Sequence, residues 1–423
     1  MTVLAASAPP RPDASSRVGR AVRWARRHLF RTWLDALVTV VLGGAAAYVA
    51  FRLVRYALVT GRWEIVRVNL KLLLVGRFPD DELWKVVAAV AALAMWGGVV
   101  AGLVNARQRR VGSVAALPVR VDRRVAELAA RFWPLLLGIG VLLALSRSAG
   151  PWLTVLVVGF AALVGRVVGS LVGRGLVVAH WLVKLVLVLV LAAVPVVLVV
   201  ILASILGWDE WGGFMINVFI AAAAIVLCFP LGLLLALGRR SRLPLLKVMC
   251  TVYIEIFRGS PLFVLLLLAN NALDFFVPDW LTPGVVVRAI IVFTLFTAAY
   301  IAEIIRGGLQ SVPPSQEEAA KAVGLGPVRT TFLIVLPQAL RNVIPAQIGQ
   351  FISLFKDVSL AGAAMGVFDL LDVSTSITKQ TGFAGQQLDV ETLAFAALLF
   401  WVGSYTMSRE SQRLEKRLGV GIR

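Results

Sequence analysis

The chain has 423 residues, 59% of them hydrophobic and only 15% charged, with a mean hydropathy of +0.87. Soluble domains are about 45–50% apolar, so this composition excludes one and indicates an all-α membrane protein whose spans need about 20 apolar residues each. A net charge of +19 with a pI near 11.1 would by itself suggest a nucleic-acid partner, but the arginines cluster beside apolar runs, which argues against nucleic acid and for a membrane-side bias.

Residues 1–32 form a basic arm. Its first part is rich in Ala, Pro and Ser, and Arg17, Arg20, Arg23, Arg26, Arg27 and Arg31 stand before the first apolar run. No small-residue cleavage pattern follows a short core, so the first run is predicted to be retained. About ten candidate spans follow: 34–54, 86–104, 132–147, 151–173, 185–206, 213–237, 252–272, 284–305, 339–356 and 391–407. Residues 132–147 and 151–173 leave almost no loop around Arg147 and Pro151, which fits either a tight hairpin or one re-entrant element. The segment "WDEWGG" at 208–213 divides the chain into a transmembrane extension over 33–207 and a second bundle of five spans over 212–418.

The basic clusters before the first span, in 105–131 and after Leu237 are separated by even numbers of crossings, so they share one side, the cytoplasmic one by the positive-inside rule. Ten spans place both termini there. The acidic segments 270–280 and 369–391, the latter with Asp369, Asp372, Asp389 and Glu391, then fall outside. Cys228 and Cys250 read as small apolar residues, and His28 and His180 are too distant for a metal cluster.

The second half contains an echo, "EIFRG" at 255–259 and "EIIRG" at 303–307. Glu255 and Arg258, like Glu303 and Arg306, lie three residues apart on one helix face. They read either as interfacial ion pairs at the membrane edge or as gate or subunit-contact elements, and spacing does not separate the two.

Residues 313–337 open on a stretch too polar for the bilayer core, between two spans. Pro313 and Pro314 end the preceding helix, and Ser315 with Glu318 has the spacing of a capping box. A short helix is predicted from Gln316 to about Val323, stopped by Gly324 and Gly326. Ala319, Ala320 and Ala322 would give it a small-residue surface that another backbone can approach.

"EAAKAVG", followed by nine residues and "IVLP", resembles the loop shared by membrane subunits of ATP-binding cassette importers, with Glu318, Ala319, Ala320, Gly324, Ile334, Leu336 and Pro337 at its positions. The stretches "YIEIFRGSPL", "AAYIAEIIRGGLQSVPPSQ" and "LPQALRNVIPAQIGQFISLFKDVSL" are similar to the polar amino-acid uptake permeases over about 212–418. "NLKLLLVGRFPDDELWK" at 69–85 resembles the long-form permeases of general L-amino-acid importers. Two positions depart from that pattern: Leu265 replaces a usual glutamine, which puts a polar pore contact there in doubt, and Pro314–Ser315 replaces Lys–Gly, which removes one positive charge beside the ATPase.

The resemblance implies a multi-pass inner-membrane permease of a bacterial cell that pairs with a second related permease. It also implies two ATPase chains docked on the coupling helix, which hold ATP-Mg, and an extracytoplasmic amino-acid-binding protein. The chain has no Gly-Lys dipeptide and hence no P-loop, so no catalytic residue or directly bound cofactor is expected. Lys356, Asp357 and Ser359 in "FKDVSL" are candidates for the substrate path, since a zwitterion needs both charges matched; a self-neutralised pair reads equally well. The extension's arginines fit anionic lipid. The rival readings are a secondary transporter or channel, for which the halves show no inverted repeat, and a polybasic membrane scaffold.

Overall fold

The computed structural model describes residues 29–111, 121–145, 150–175, 211–278, 280 and 282–418. Among them the regular structure is helical, and the one isolated strand-type bridge joins Gly213 and Asp369. Two compact units divide at Arg62.

The first unit contains α1, Trp33–Arg55, which runs on as a π-helical turn over Tyr56–Thr60. Thr32 and Asp35 start it by reciprocal capping: the Asp35 amide donates to Thr32 Oγ1 at 3.1 Å and the Thr32 amide to Asp35 Oδ2 at 3.2 Å. None of its residues is buried.

The second unit opens with two short helices, α2 (Glu64–Val68) and α3 (Leu70–Val75). Three long helices follow: α4 (Leu83–Val111), α5 (Val121–Leu145) and α6 (Gly150–Gly175). α4 and α6 touch backbone to backbone. A Cβ on Gly98 would stand 2.2 Å from the Ala162 carbonyl oxygen, and one on Gly165 would stand 2.0 Å from that of Met95. Gly102 and Gly169 repeat this one turn later, at 2.4 Å from Arg166 O and 2.1 Å from Val99 O. Each helix thus carries Gly-x-x-x-Gly, the spacing that lets helices in lipid approach where no hydrophobic force drives them together.

Five elements make the remaining bundle: α7 (Gly213–Arg239), the pair α8 (Pro244–Gly259) and α9 (Leu262–Asn271), α11 (Val285–Ser311), α14 (Leu336–Asp357) and α17 (Asp389–Leu418). One turn, α10 (Leu273–Phe276), sits between α9 and α11. α7 lies against α11, where a Cβ on Gly232 would meet Ile301 Cγ2 at 2.7 Å. The interior divides into layers. Ile216, Ile220, Phe293 and Leu354 fill one, and Cys228, Ala298, Ile301, Ile305 and Ala339 fill the next. Both cysteines are free and buried, as apolar residues would be.

A third layer joins the extension to this bundle. Ile65, Val66, Leu70 and Leu73 of α2 and α3 pack on Leu370, Val373, Leu388 and Phe395. Gln380 Nε2 donates to Asn69 Oδ1 at 3.2 Å. Gly76, with φ 71°, lies so close that a Cβ would be 2.4 Å from Gly212 Cα. Residues 63–78 therefore cap one end of the bundle.

The span pattern differs from the expected one at several places. Six described helices are long and apolar enough to cross a membrane, and a seventh crossing arises if α8 and α9 count as one. The run at 185–206 lies outside the described residues. The apolar part of α5, Trp133–Leu145, is short, and α14 spans 22 residues but is too polar to pass as a span by composition. The candidate span at 252–272 is divided between α8 and α9, which meet at a bend of 101°. Pro261 explains the bend: it lacks a donor and drives Ser260 into extended conformation, φ −94° and ψ 139°.

Candidate functional site

Two proline-started pieces flank the polar loop. α12 covers Pro314–Ala322, and α13 covers Pro327–Thr330 and continues through a π turn, Thr331–Val335, into α14. The predicted Ser315–Glu318 capping box does not form. Pro314 already occupies the first helical turn and Pro313 is the cap, so Ser315 lies inside the helix with no side-chain cap bond. The predicted stop does form. Gly324 takes φ 82°, its amide donates to Lys321 O at 2.9 Å, and the Leu325 amide donates to Ala320 O at 3.0 Å, a Schellman closure. The π turn ends where Pro337 leaves the helical ladder without a donor.

α12 is polar and stands out from the bundle. Glu318, Ala319, Lys321, Ala322 and Gly324 are exposed, and Val323 is 76% exposed. Ala320 instead turns inward and is 5% exposed, so the small-residue surface consists of Ala319 and Ala322 rather than of all three alanines. Ile334 is half-buried, Leu336 is buried and Pro337 is exposed. Ile334 belongs to the π turn and Leu336 and Pro337 open α14, whereas Glu318, Ala319 and Gly324 lie exposed on or just after α12.

A charge cluster lies where α7, α8 and α11 end nearest α12. Within "EIIRG" the pair forms as spaced, Arg306 donating to both Glu303 oxygens at 2.9 and 2.5 Å. Within "EIFRG" it does not. Arg239 takes Glu255, Nη2 to Oε1 at 3.1 Å, and also donates from Nη1 to Glu303 Oε2 at 3.2 Å. Arg258 turns instead to Glu303, at 3.9 Å, and lies over the Tyr300 ring, 5.7 Å from its centroid. Three guanidiniums thus share two carboxylates, all of them half-buried or exposed. Arg239 is the residue that sequence reading missed, since beside Arg240 and Arg242 it counted only as membrane-side charge.

At the far end of α7 the geometry is different. Asn217 is fully buried. Its Nδ2 donates to Val358 O and to Asp369 Oδ2, each at 3.2 Å, and its Oδ1 accepts from the Leu370 amide at 2.9 Å. After the short α15 (Leu360–Met365), Asp369 caps α16 (Leu370–Ser376), accepting from the Asp372 amide at 2.8 Å. Burial pushes its carboxyl from 3.8 up to about 6, and the Asp372 and Asn217 hydrogen bonds pull the other way. Within the acidic segment 369–391, Asp369 is a fully buried cap, because the first turn of α16 needs an acceptor. Nearby, Lys356 is exposed and Asp357 half-buried, and no ion pair joins them. Successive helical side chains point about 100° apart, so no direct ion pair forms, while the Lys356 charge still acts on Asp357. Ser359 Oγ donates to Lys356 O at 2.8 Å.

Residues 228–420 match the family described as the inner membrane component of binding-protein-dependent transport systems. Along its whole length the chain is similar to an inner membrane amino-acid ABC transporter permease of Escherichia coli, YhdY, at 29% identity over 100% of this chain and 99% of that one. It is 34% identical to the glutamate/glutamine/aspartate/asparagine transport system permease BztC of Rhodobacter capsulatus, over 97% of this chain and 96% of the relative. The chain belongs to the amino-acid ABC importer permeases. A probable glutamine ABC transporter permease of Bacillus subtilis, GlnP, is 34% identical but matches 49% of this permease while 92% of its own length is covered. The permease is a transport component of the membrane and not the ATPase. Its importer family depends on an ATPase and a binding protein, and the chain is a translocation permease subunit of that family.

Proposed function

We propose that the permease passes the ATPase stroke to its bundle through α12, which seats in a groove of an ATPase chain. What supports this is the form of α12: a polar helix with a proline start and a Schellman stop, standing out from an apolar bundle and offering Glu318, Ala319, Ala322 and Val323 to a partner. Ala320 acts beneath that surface by holding α12 on the loop behind it. In this reading α12 and both termini are cytoplasmic, a second related permease completes the path, and two ATPase chains hold ATP-Mg. The binding protein docks at the end capped by residues 63–78.

The cargo is a polar L-amino acid. Lys356, at the cap end of α14, would draw its carboxylate, and half-buried Asp357 its ammonium group. The glutamate/glutamine/aspartate/asparagine relative supports this class. The basic residues of the arm and of 105–131 would hold anionic lipid.

The test is purification of the importer through a tag on this chain, with copurified ATPase and amino-acid-stimulated hydrolysis measured in proteoliposomes. Glu318→Arg and Val323→Asp are expected to lower copurified ATPase about fivefold or more, as loss of a central contact does. Full recovery of ATPase and import in both variants would end the proposal.

A further inference from the structure

α7 ends in two consecutive arginines that reach different partners. Arg239 holds Glu303 of α11 and Glu255 of α8. Arg240, the C-cap residue, holds Glu317 of α12, Nη2 to Oε1 at 3.5 Å. The ends of four helices therefore meet on one dipeptide. The opposite end of α7 is anchored by Asn217 to Val358, Asp369 and Leu370, and along its length it packs closely on α11 at Gly232. A force on Arg240 thus meets a rod fixed at its far end. Its freest response is at Arg239.

The cluster that Arg239 joins borders the bend of the α8–α9 pair. Glu303 is shared by Arg239, Arg258 and Arg306, and Arg258 immediately precedes the break at Gly259–Pro261. Among the described residues Arg258 makes no hydrogen bond; it has the 3.9 Å contact with Glu303 and the face of Tyr300. A change in the hold of Arg239 on Glu303 alters what is left for Arg258. Backbone freed at a helix break in a membrane protein is tolerated where it lines a protein or water cavity, so this bend is a place where a small displacement can open or shut a path.

We infer that Arg240 and Glu317 are positioning residues: their ion pair ties the coupling helix to the Arg239–Glu303–Glu255 cluster and makes the position of α12 set the state of the α8–α9 bend. The inference rests on α12 being the ATPase contact. It competes with a simpler transmission, because α12 also follows α11 in the chain after only Val312 and Pro313. That covalent link would carry a push without any ion pair. Gln316, which accepts from Gln338 Nε2 at 3.4 Å, tethers α12 to α14 but touches no member of the cluster.

Charge exchange separates these routes. The importer is purified through a tag on this chain and placed in proteoliposomes, and the ratio of ATP hydrolysed to radiolabelled L-glutamate and L-glutamine imported is read. Arg240→Glu and Glu317→Arg each set like charges opposite one another. Each is expected to raise that ratio about fivefold, the factor that an ion pair at the top of the range for exposed pairs supplies. The double exchange, Arg240→Glu with Glu317→Arg, should return it to within about twofold of the unaltered protein, since coupled sites are non-additive. A purely structural role would lower import and hydrolysis together and leave the ratio alone. Copurified ATPase is measured alongside: unchanged binding with an altered ratio belongs to the clasp, whereas loss of ATPase from Glu318→Arg belongs to the docking surface. If the single exchanges leave the ratio unchanged, or the double exchange is no better than the singles, the clasp is refuted and the covalent link to α11 carries the stroke.

Discussion

Replacing Asn217 by leucine keeps the volume of the side chain and removes the junction between α7 and α16. The Leu370 amide, buried and in the first turn of α16, loses its acceptor, and Asp369 Oδ2 loses the donor at 3.2 Å. Val358 O retains the Ala361 amide at 3.1 Å, so it adds little. An orphaned buried amide costs about 1–3 kcal/mol and a lost hydrogen bond to a charged group about 1.5–3, giving about 3–5 kcal/mol. At about 2–4 °C per kcal/mol for a large domain, the apparent melting temperature should fall by about 10 °C. The assay is heat-dependent loss of the monodisperse peak of a fluorescent fusion of the full chain in mild detergent. A second signature follows from charge. The Asn217 bond holds the Asp369 carboxyl down against burial, so its removal drives that carboxyl further toward the protonated form. The defect should therefore be larger at pH 8 than at pH 5. A fall of less than about 2 °C, or one independent of pH, would refute the reasoning that this junction is dry and fully paired.

Asp369 also sets a pH dependence for the unaltered protein. Its folded carboxyl is raised to about 6 from 3.8, so its contribution is full below pH 3.8 and is lost as pH rises through about 6. The difference of about two units amounts to about 3 kcal/mol. Melting temperature should rise on going from pH 7.5 toward pH 5, and Asp369→Asn, which keeps a capping oxygen, should flatten that rise. Arg288 donates to Pro283 O at 2.8 Å and Asn270 O at 3.1 Å and pairs with Asp274 at 2.7 Å. Arg288→Leu should therefore free residues 272–284 and increase limited proteolysis there several-fold, at a cost of about 2–3 kcal/mol. Gly165→Leu cannot keep the α4–α6 contact, because even a Cβ would lie 2.0 Å from Met95 O. It should lower the melting temperature by several degrees, while the import rate per correctly assembled complex stays near normal if these helices are an accessory.

The polar loop at 313–337 was legible because its chemistry is local. Prolines that end the preceding helix, a stop at Gly324, which takes φ 82°, and the spacing from Glu318 to Pro337 are all read within residues 313–337. Even there the start was misplaced by two positions, since Pro314 occupies the first turn and Pro313 the cap, where Ser315 was expected as the cap. The charge cluster was half legible. Spacing identifies Glu303 with Arg306, but it does not show that Arg239, far earlier in the chain, displaces Arg258 from Glu255.

By itself the sequence determined the class of the protein: apolar runs long enough to span, basic flanks, a polar punctuated loop and the family to which the loop belongs. These follow from short-range physics, namely hydropathy, backbone donors lost at proline and conformations open only to glycine. The tertiary structure decided the rest. Residues 63–78 cap a bundle that begins more than a hundred positions later, and Asn217 meets Asp369 across 152 residues. Tertiary packing also turns Ala320 inward. Contacts of that kind depend on which helices become neighbours, and hydropathy, which treats every apolar helix alike, carries no information about that choice.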